Sequence, residues 1–148
     1  MTRRHRRDFL LDSGGVSALA GSQDLLVGYC KLLEKLYDGA FLIPIPILTE
    51  VRSGQRGPDT LVDRLVKAIG VDVYVPLSVA TATRAGVLRT EALRMTNHII
   101  SPIDAQVVAI AEERSRVCAV TIITGDPGDI KLLVGLTRCT NIAVDVLA

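Results

Sequence analysis

Val117-Cys118-Ala119-Val120-Thr121-Ile122-Ile123-Thr124, followed by Gly125-Asp126-Pro127, is the stretch that decides the fold. The run is rich in β-branched residues and lacks the in–out alternation of a half-wet strand, as expected for the central strand of a parallel sheet covered on both faces. Its end at Gly-Asp-Pro marks a sharp turn. Upstream, Ser101-Pro102 reads as N-cap and first residue of a helix to about Arg114, with Val107, Val108, Ile110 and Ala111 inward. Downstream, a helix over Ile130 to Leu136 and a last strand over Ile142 to Leu147 follow.

The same alternation continues outward. Phe9-Leu10-Leu11 is a short buried strand that enters a tight turn at Asp12-Ser13-Gly14-Gly15. From Ser22 to Tyr37, Leu25, Leu26, Tyr29, Leu32, Leu33, Leu36 and Tyr37 recur at helical spacing. Ala40 to Ile45 is a strand, and Pro46 opens a short helix that carries Glu50. A polar connection over Ser53 to Gly57 leads to a helix from Pro58 to Ile69 with Leu61, Val62, Leu65 and Val66 on one face. Val71, Val73 and Val75 make a third strand closed by Pro76, Ser78 starts a helix to about Leu93, and Met95 to Ile100 is a connection. Strands alternating with helices imply right-handed crossovers and a three-layer α/β/α sandwich around a parallel sheet.

At 148 residues and 49% hydrophobic, the chain is expected to form a single domain over residues 1–148, burying about two thirds of its unfolded surface without disulfide or structural metal. Cys30, Cys118 and Cys139 include no C-x-x-C pair and read as reduced core thiols. A net charge of +1 offers no global pull on nucleic acid, yet Arg3, Arg4, Arg6 and Arg7 crowd around His5. Residues 1–7 read as a disordered basic arm, with phosphate contact as the alternative. Arg6-Arg7-Asp8-Phe9-Leu10 superficially resembles a twin-arginine export signal, but Asp12 and Gly14-Gly15 break the apolar stretch that such a signal needs. The most apolar run, Phe41 to Leu48, is short and holds Pro44 and Pro46, so no membrane span is expected.

Four carboxylates, Asp12, Glu50, Asp104 and Asp126, stand directly after expected strands or in the opening turns of expected helices. In an open parallel sheet such positions converge on one edge. Hard oxygen ligands with few cationic neighbours suit Mg²⁺ or Mn²⁺. Each acid also has a structural reading: Asp126 as an N-cap, Asp104 as part of an approximate capping box with Ser101, Glu50 as a solvated helix residue. Asp12, ending an apolar strand before two glycines, is the hardest to explain without a partner. His5 and His98 lack metal-ligand spacing, His98 reads as a surface loop residue, and no G-x-G-x-x-G or G-K-[ST] phosphate loop occurs.

Leu11-Asp12-Ser13 with its small-residue turn, Leu48-Thr49-Glu50-Val51, Ile103-Asp104-Ala105 and Ile123-Thr124-Gly125-Asp126-Pro127-Gly128-Asp129-Ile130 resemble, in this order, the four acidic motifs of PIN-domain ribonucleases. Among these the chain resembles VapC-type toxins of bacterial toxin–antitoxin pairs. The resemblance implies strand order 3-2-1-4-5, with Asp12 and Asp126 side by side where the connections change direction. It further implies Mg²⁺- or Mn²⁺-dependent cleavage of RNA to a 5′-phosphate and a 3′-hydroxyl, in the cytoplasm. Asp12, Asp104 and Asp126 would hold the ion, Glu50 would hold or orient a water, and Thr124 and Ser13 would support the ligands. Asp129 is read as a helix-end charge rather than a ligand. A homodimer, with the helices of Ser22 to Tyr37 and Pro58 to Ile69 as candidate surfaces, and a VapB-like antitoxin placing an Arg among the carboxylates, are the implied partners. Gly14-Gly15 departs from the Ser or Thr common after the first Asp of such enzymes. The alternative reading is a PIN-like binding protein without catalysis; a phospho-acceptor receiver domain is disfavoured because the third strand ends Tyr74-Val75-Pro76 without an Asp.

Overall fold

A computed structural model of the chain describes residues 5–52, 61–70 and 73–147. In chain order the elements are β1 (His5–Leu11), α1 (Ser13–Ala20), α2 (Gln23–Leu36), β2 (Tyr37–Asp38), β3 (Phe41–Pro44), a 3₁₀ turn (Ile45–Ile47) running into α3 (Leu48–Val51), α4 (Leu61–Ile69), β4 (Tyr74–Val75), α5 (Val79–Thr96), α6 (Pro102–Ser115), β5 (Ala119–Thr124), α7 (Pro127–Thr137) and β6 (Ile142–Val146).

All strand pairings are parallel, and the sheet runs β4-β3-β1-β5-β6, with two-residue β2 beside the start of β1. Leaving β2 aside, this is the expected 3-2-1-4-5 order. β1 is central because it pairs with β3 through Phe9↔Phe41 and with β5 from Arg7↔Ala119 to Leu11↔Ile123. Leu10, Leu11, Val120, Ile122 and Ile123 are fully buried, so the apolar run is covered on both faces as expected, but it forms β5, which lies between β1 and β6 rather than at the centre of the sheet. No helix among the described residues is long and apolar enough to cross a membrane, and the three cysteines are free thiols.

Several elements differ from expectation for local reasons. Residues 5–7, expected in the loose arm, are part of β1: His5 and Arg6 pair with Tyr37 and Asp38. Arg7 donates to Thr121 Oγ1 at 2.8 Å and lies 5.4 Å above the Tyr37 ring, which gives its cation a place that sequence spacing does not reveal. Residues 1–4 lie outside the described residues. The Asp12–Gly15 turn is instead the first turn of α1. Both glycines are needed for close approach, because a Cβ on Gly15 would sit 2.2 Å from the Ile123 carbonyl oxygen and one on Gly14 2.8 Å from the Gly125 nitrogen. α5 runs on to Thr96, so Met95 is helical, and it ends at Asn97 in the left-handed conformation, φ 54°. The third strand is reduced to Tyr74–Val75 with Val73 buried beside it. Its expected start at Val71, and the opening of the preceding helix at Pro58, lie outside the described residues.

At the N-terminal edge of the sheet a charged group is fully buried. Asp8, 1% exposed, accepts two hydrogen bonds from Arg114, at 2.6 and 3.1 Å. It also accepts from the Ala40 N–H at 3.1 Å and the Cys118 thiol at 3.3 Å. Burial acts to raise its pKa, but the bonds from Arg114, Cys118 and Ala40 outweigh it and hold the carboxyl below its ordinary value.

Candidate active site

Strand order alone places Asp12 and Asp126 together, since β1 and β5 are neighbours and each acid follows its strand. Each also N-caps the helix that leaves the sheet there. Asp12 Oδ1 accepts from the Gly15 N–H at 2.7 Å, and Asp126 Oδ1 from the Gly128 N–H at 3.4 Å. Capping thus engages one oxygen of each carboxylate, and both residues still line the crevice edge.

Thr124, fully buried, joins the two. Its hydroxyl accepts from the Asp126 N–H at 3.1 Å and donates to the Asp126 carbonyl at 3.0 Å, and it lowers the Asp12 carboxyl against the effect of burial. The hydroxyl thus lies beside both acids. Ser13 lines the same space but makes no hydrogen bond to a carboxylate among the described residues.

Glu50 reaches this edge from α3 and Asp104 from the first turn of α6. Ser101 caps α6 through the Ile103 N–H at 3.2 Å rather than through residue 104, so Asp104 is not needed for capping and its side chain is left for the crevice. Asp12, Glu50, Asp104, Asp126 and Asp129 together line a crevice of about 300 Å³, completed by Ser13, Gly14, Ser101 and Gly125. No Lys or Arg lines it among the described residues.

The electrostatics follow from that composition. Asp104 is pushed up to about 6, first by burial and then by the charges of Asp12, Asp129, Glu50 and Asp126. Burial also raises Asp12; the Thr124 hydroxyl and the Gly15 N–H pull it back, and Glu50 pushes it up again. No side chain of opposite charge lines the crevice among the described residues to offset this repulsion.

Asp129 belongs to this group, although sequence reasoning set it apart as a helix-end charge. It sits one turn after Asp126 on α7, so both roles are met at once, and it bonds His98 Nε2 at 3.2 Å on the outer rim. His98 is exposed, as its loop position suggested. Among the described residues no three carboxylate, histidine or cysteine groups close tightly enough to enclose a metal ion. The all-oxygen donor set suits Mg²⁺ or Mn²⁺ in kind, while the carboxylates stand around an open crevice rather than a preformed coordination shell.

No protein-family model and no curated protein sequence matches the chain. Solved structures do. VapBC2 from Rickettsia felis bound to a DNA fragment from its promoter aligns with 95% of this chain and 99% of its own, at 18% identity and a TM-score of 0.63. FitAB bound to the IR36 DNA fragment aligns over 93% and 94%, at 19% and 0.63. VapC20 from Mycobacterium tuberculosis, described as a Sarcin-Ricin loop cleaving toxin, aligns over 83% and 92%, at 18% and 0.51. At such identities the likeness concerns the fold: the chain shares the α/β/α sandwich of these VapBC, FitAB and VapC20 structures.

Proposed function

We propose that the protein is a Mg²⁺- or Mn²⁺-dependent endoribonuclease and the toxin of a toxin–antitoxin pair. The observation that carries this reading is the convergence of five carboxylates on one crevice with no basic side chain in its lining among the described residues, where burial first and the neighbouring acids second push Asp104 up to about 6. Such repulsion lowers stability and is tolerated where function needs it. The fold likeness to a Sarcin-Ricin loop cleaving toxin and to VapBC and FitAB supports the same class.

In this reading Asp12, Asp104 and Asp126 hold the ion and Glu50 binds or orients a water. A bound divalent cation would supply a water of lowered pKa and stabilise charge on the leaving 3′ oxygen. The chain's own contributions are separate. Thr124 fixes the Asp12 carboxylate, the Gly15 N–H occupies its other face, and Asp104 gives up its proton as the crevice is neutralised. Gly14, without a side chain, lets the start of α1 lie against Gly125 in the crevice wall. Water adds to phosphorus, the P–O3′ bond breaks, and the products are a 5′-phosphate and a 3′-hydroxyl.

A VapB-like antitoxin placing a guanidinium among the same acids would satisfy several oxygens and replace the ion's charge. Leu25, Leu32 and Leu36 form an exposed stripe on α2, at 37, 40 and 54% exposure, and fit the proposed homodimer contact. In this reading the protein would act in the cytoplasm, where its RNA substrate is found. A second reading, a PIN-like binding protein without catalysis, is favoured by the lack of a preformed metal-enclosing cluster among the described residues.

One experiment separates the two. Wild type, Asp12→Asn and Asp126→Asn are incubated with structured RNAs and Mg²⁺ or Mn²⁺, and the ends of any products are mapped. Wild-type cleavage leaving 5′-phosphates, lost in both variants, supports the nuclease; cleavage unchanged in both variants refutes the assigned site. Binding of RNA or antitoxin by a wild type that never cuts supports the second reading.

A further inference from the structure

Apart from the acidic crevice, a groove of about 680 Å³ lies between α5 and the C-terminal end of α7. Its lining is basic, with Arg84, Arg94 and Arg138 against a single acid, Glu91. We propose that this groove is a second RNA-binding site, one that grips the phosphate backbone of the strand whose scissile bond lies in the crevice; it rests on the ribonuclease reading above.

The distribution of charge requires a site of this kind. The chain carries +1 overall, and the five crevice acids account for −5, which leaves +6 on the rest of the molecule. A polyanion gains nothing from an acidic crevice until a cation is bound there, so its attraction has to come from elsewhere on the surface.

Two of the three arginines are available for it. Arg84 is held by Glu112 through two bonds at 2.9 and 3.0 Å. Arg94 and Arg138 are exposed and form no ion pair or side-chain hydrogen bond among the described residues. Arg138 stands in the left-handed conformation that ends α7, φ 58°, with its N–H on the Gly135 carbonyl at 3.3 Å. That position ordinarily goes to Gly or Asn. An arginine there carries a backbone cost and, in return, puts a guanidinium at the mouth of the groove.

The groove is also aligned with the crevice. α7 begins at the crevice acids Asp126 and Asp129 and ends at Arg138, a helix length of about 16 Å that a few nucleotides of backbone can span. α5 follows the same line, since Arg94 lies in its last turn and His98, just beyond it, bonds Asp129. No aromatic ring lines the groove among the described residues: Phe9, Tyr29, Tyr37 and Phe41 pack against one another, and Tyr74 stands on β4. Base stacking is therefore absent, and the contacts are to phosphate, without sequence preference.

The test uses the full chain and a fluorescent single-stranded RNA, first in EDTA so that no divalent ion bridges RNA to the crevice, then in Mn²⁺ for cleavage. Arg94→Ala/Arg138→Ala should weaken binding about tenfold and lower the slope of log K against log salt by about 1.4, two phosphate contacts' worth. Arg94→Lys/Arg138→Lys should restore most of the slope, because the point charge is kept. In cleavage the alanine variant should raise KM with kcat and cut site unchanged, and circular dichroism should show it folded. If wild type cuts RNA and the folded alanine variant binds and cuts like it, the groove assignment falls alone, and an acidic protein segment becomes the candidate occupant. If wild type neither binds nor cuts RNA, the ribonuclease reading falls and takes the groove's role with it.

Discussion

Asp8 lies on β1 and Asp12 directly after it, four residues apart, and they face opposite electrostatic situations. At the N-terminal edge of the sheet Asp8 is buried against Arg114, with Ala40 and Cys118 completing its shell, and its carboxyl is held low. At the C-terminal edge Asp12 is buried among other acids, and its carboxyl is pushed up. Burial penalises both charges. The difference lies in what the rest of the chain brings to each edge: an arginine from the end of α6 to one, and carboxylates from α3, α6 and α7 to the other. An acid matched by a cation strengthens the fold, whereas acids left together hold repulsion in readiness for a ligand.

The comparison is broken most severely by Asp126→Asn or Asp12→Asn. Asparagine keeps the helix cap but is a poor hard-cation ligand, so cleavage should fall by on the order of 10³-fold with little loss of stability. Stability by urea denaturation and cleavage rate on the same preparations check both halves. Next in size, Asp8→Asn should cost about 2–3 kcal/mol, because Arg114 loses its ionic partner and the buried amide cannot accept all the bonds the carboxylate took. Its effect on cleavage per folded molecule should be negligible.

A smaller effect sharpens the contrast through pH. The Asp104 pKa is raised in the folded state from 3.8 to about 6, so the native protein binds more protons than the unfolded one between those values, and metal-free stability should fall as pH rises through that window. Asp8 has the opposite sign: its pKa is lowered from 3.8, so its contribution is complete above that value and is lost as pH falls through the lower folded pKa. Asp104→Asn should flatten the first dependence and stabilise the metal-free protein at pH 7 by about 1 kcal/mol. Thermal melts between pH 4 and pH 7 read this directly; a wild type and a variant with parallel profiles would contradict the assigned coupling.

Much of the architecture was legible in the chain because hydrophobic pattern reports burial directly. The unbroken Val117–Thr124 run marks a strand covered on both faces, and β5 is that strand. The four acids were legible because their position after strands or at helix starts is a matter of local sequence, which strand order then converts into proximity. What escaped depends on contacts far apart in the chain. Gly14 and Gly15 look like a turn until the end of β5 is packed against them, 2.2 Å from where a Gly15 Cβ would stand. Arg7 looks like part of a loose arm until Thr121 and Tyr37 accept it. The Asp8–Arg114 pair joins residues 106 positions apart and has no local signature. Asp129 was half legible: its spacing from Asp126 gives one face of one helix, but only the arrival of α6 turns that face into a wall of the crevice.

The central claim, that five acids act as one electrostatic unit able to take a divalent ion, is tested most directly by an NMR titration of the Asp104 carboxyl, with and without Mg²⁺ and in the Asp12→Asn background. The account predicts a midpoint near 6 in the metal-free wild type, a clear fall toward the ordinary range when Asp12 is neutralised, and a fall of the same sign when Mg²⁺ is added. An Asp104 that titrates near 3.8 and responds to neither change would contradict it.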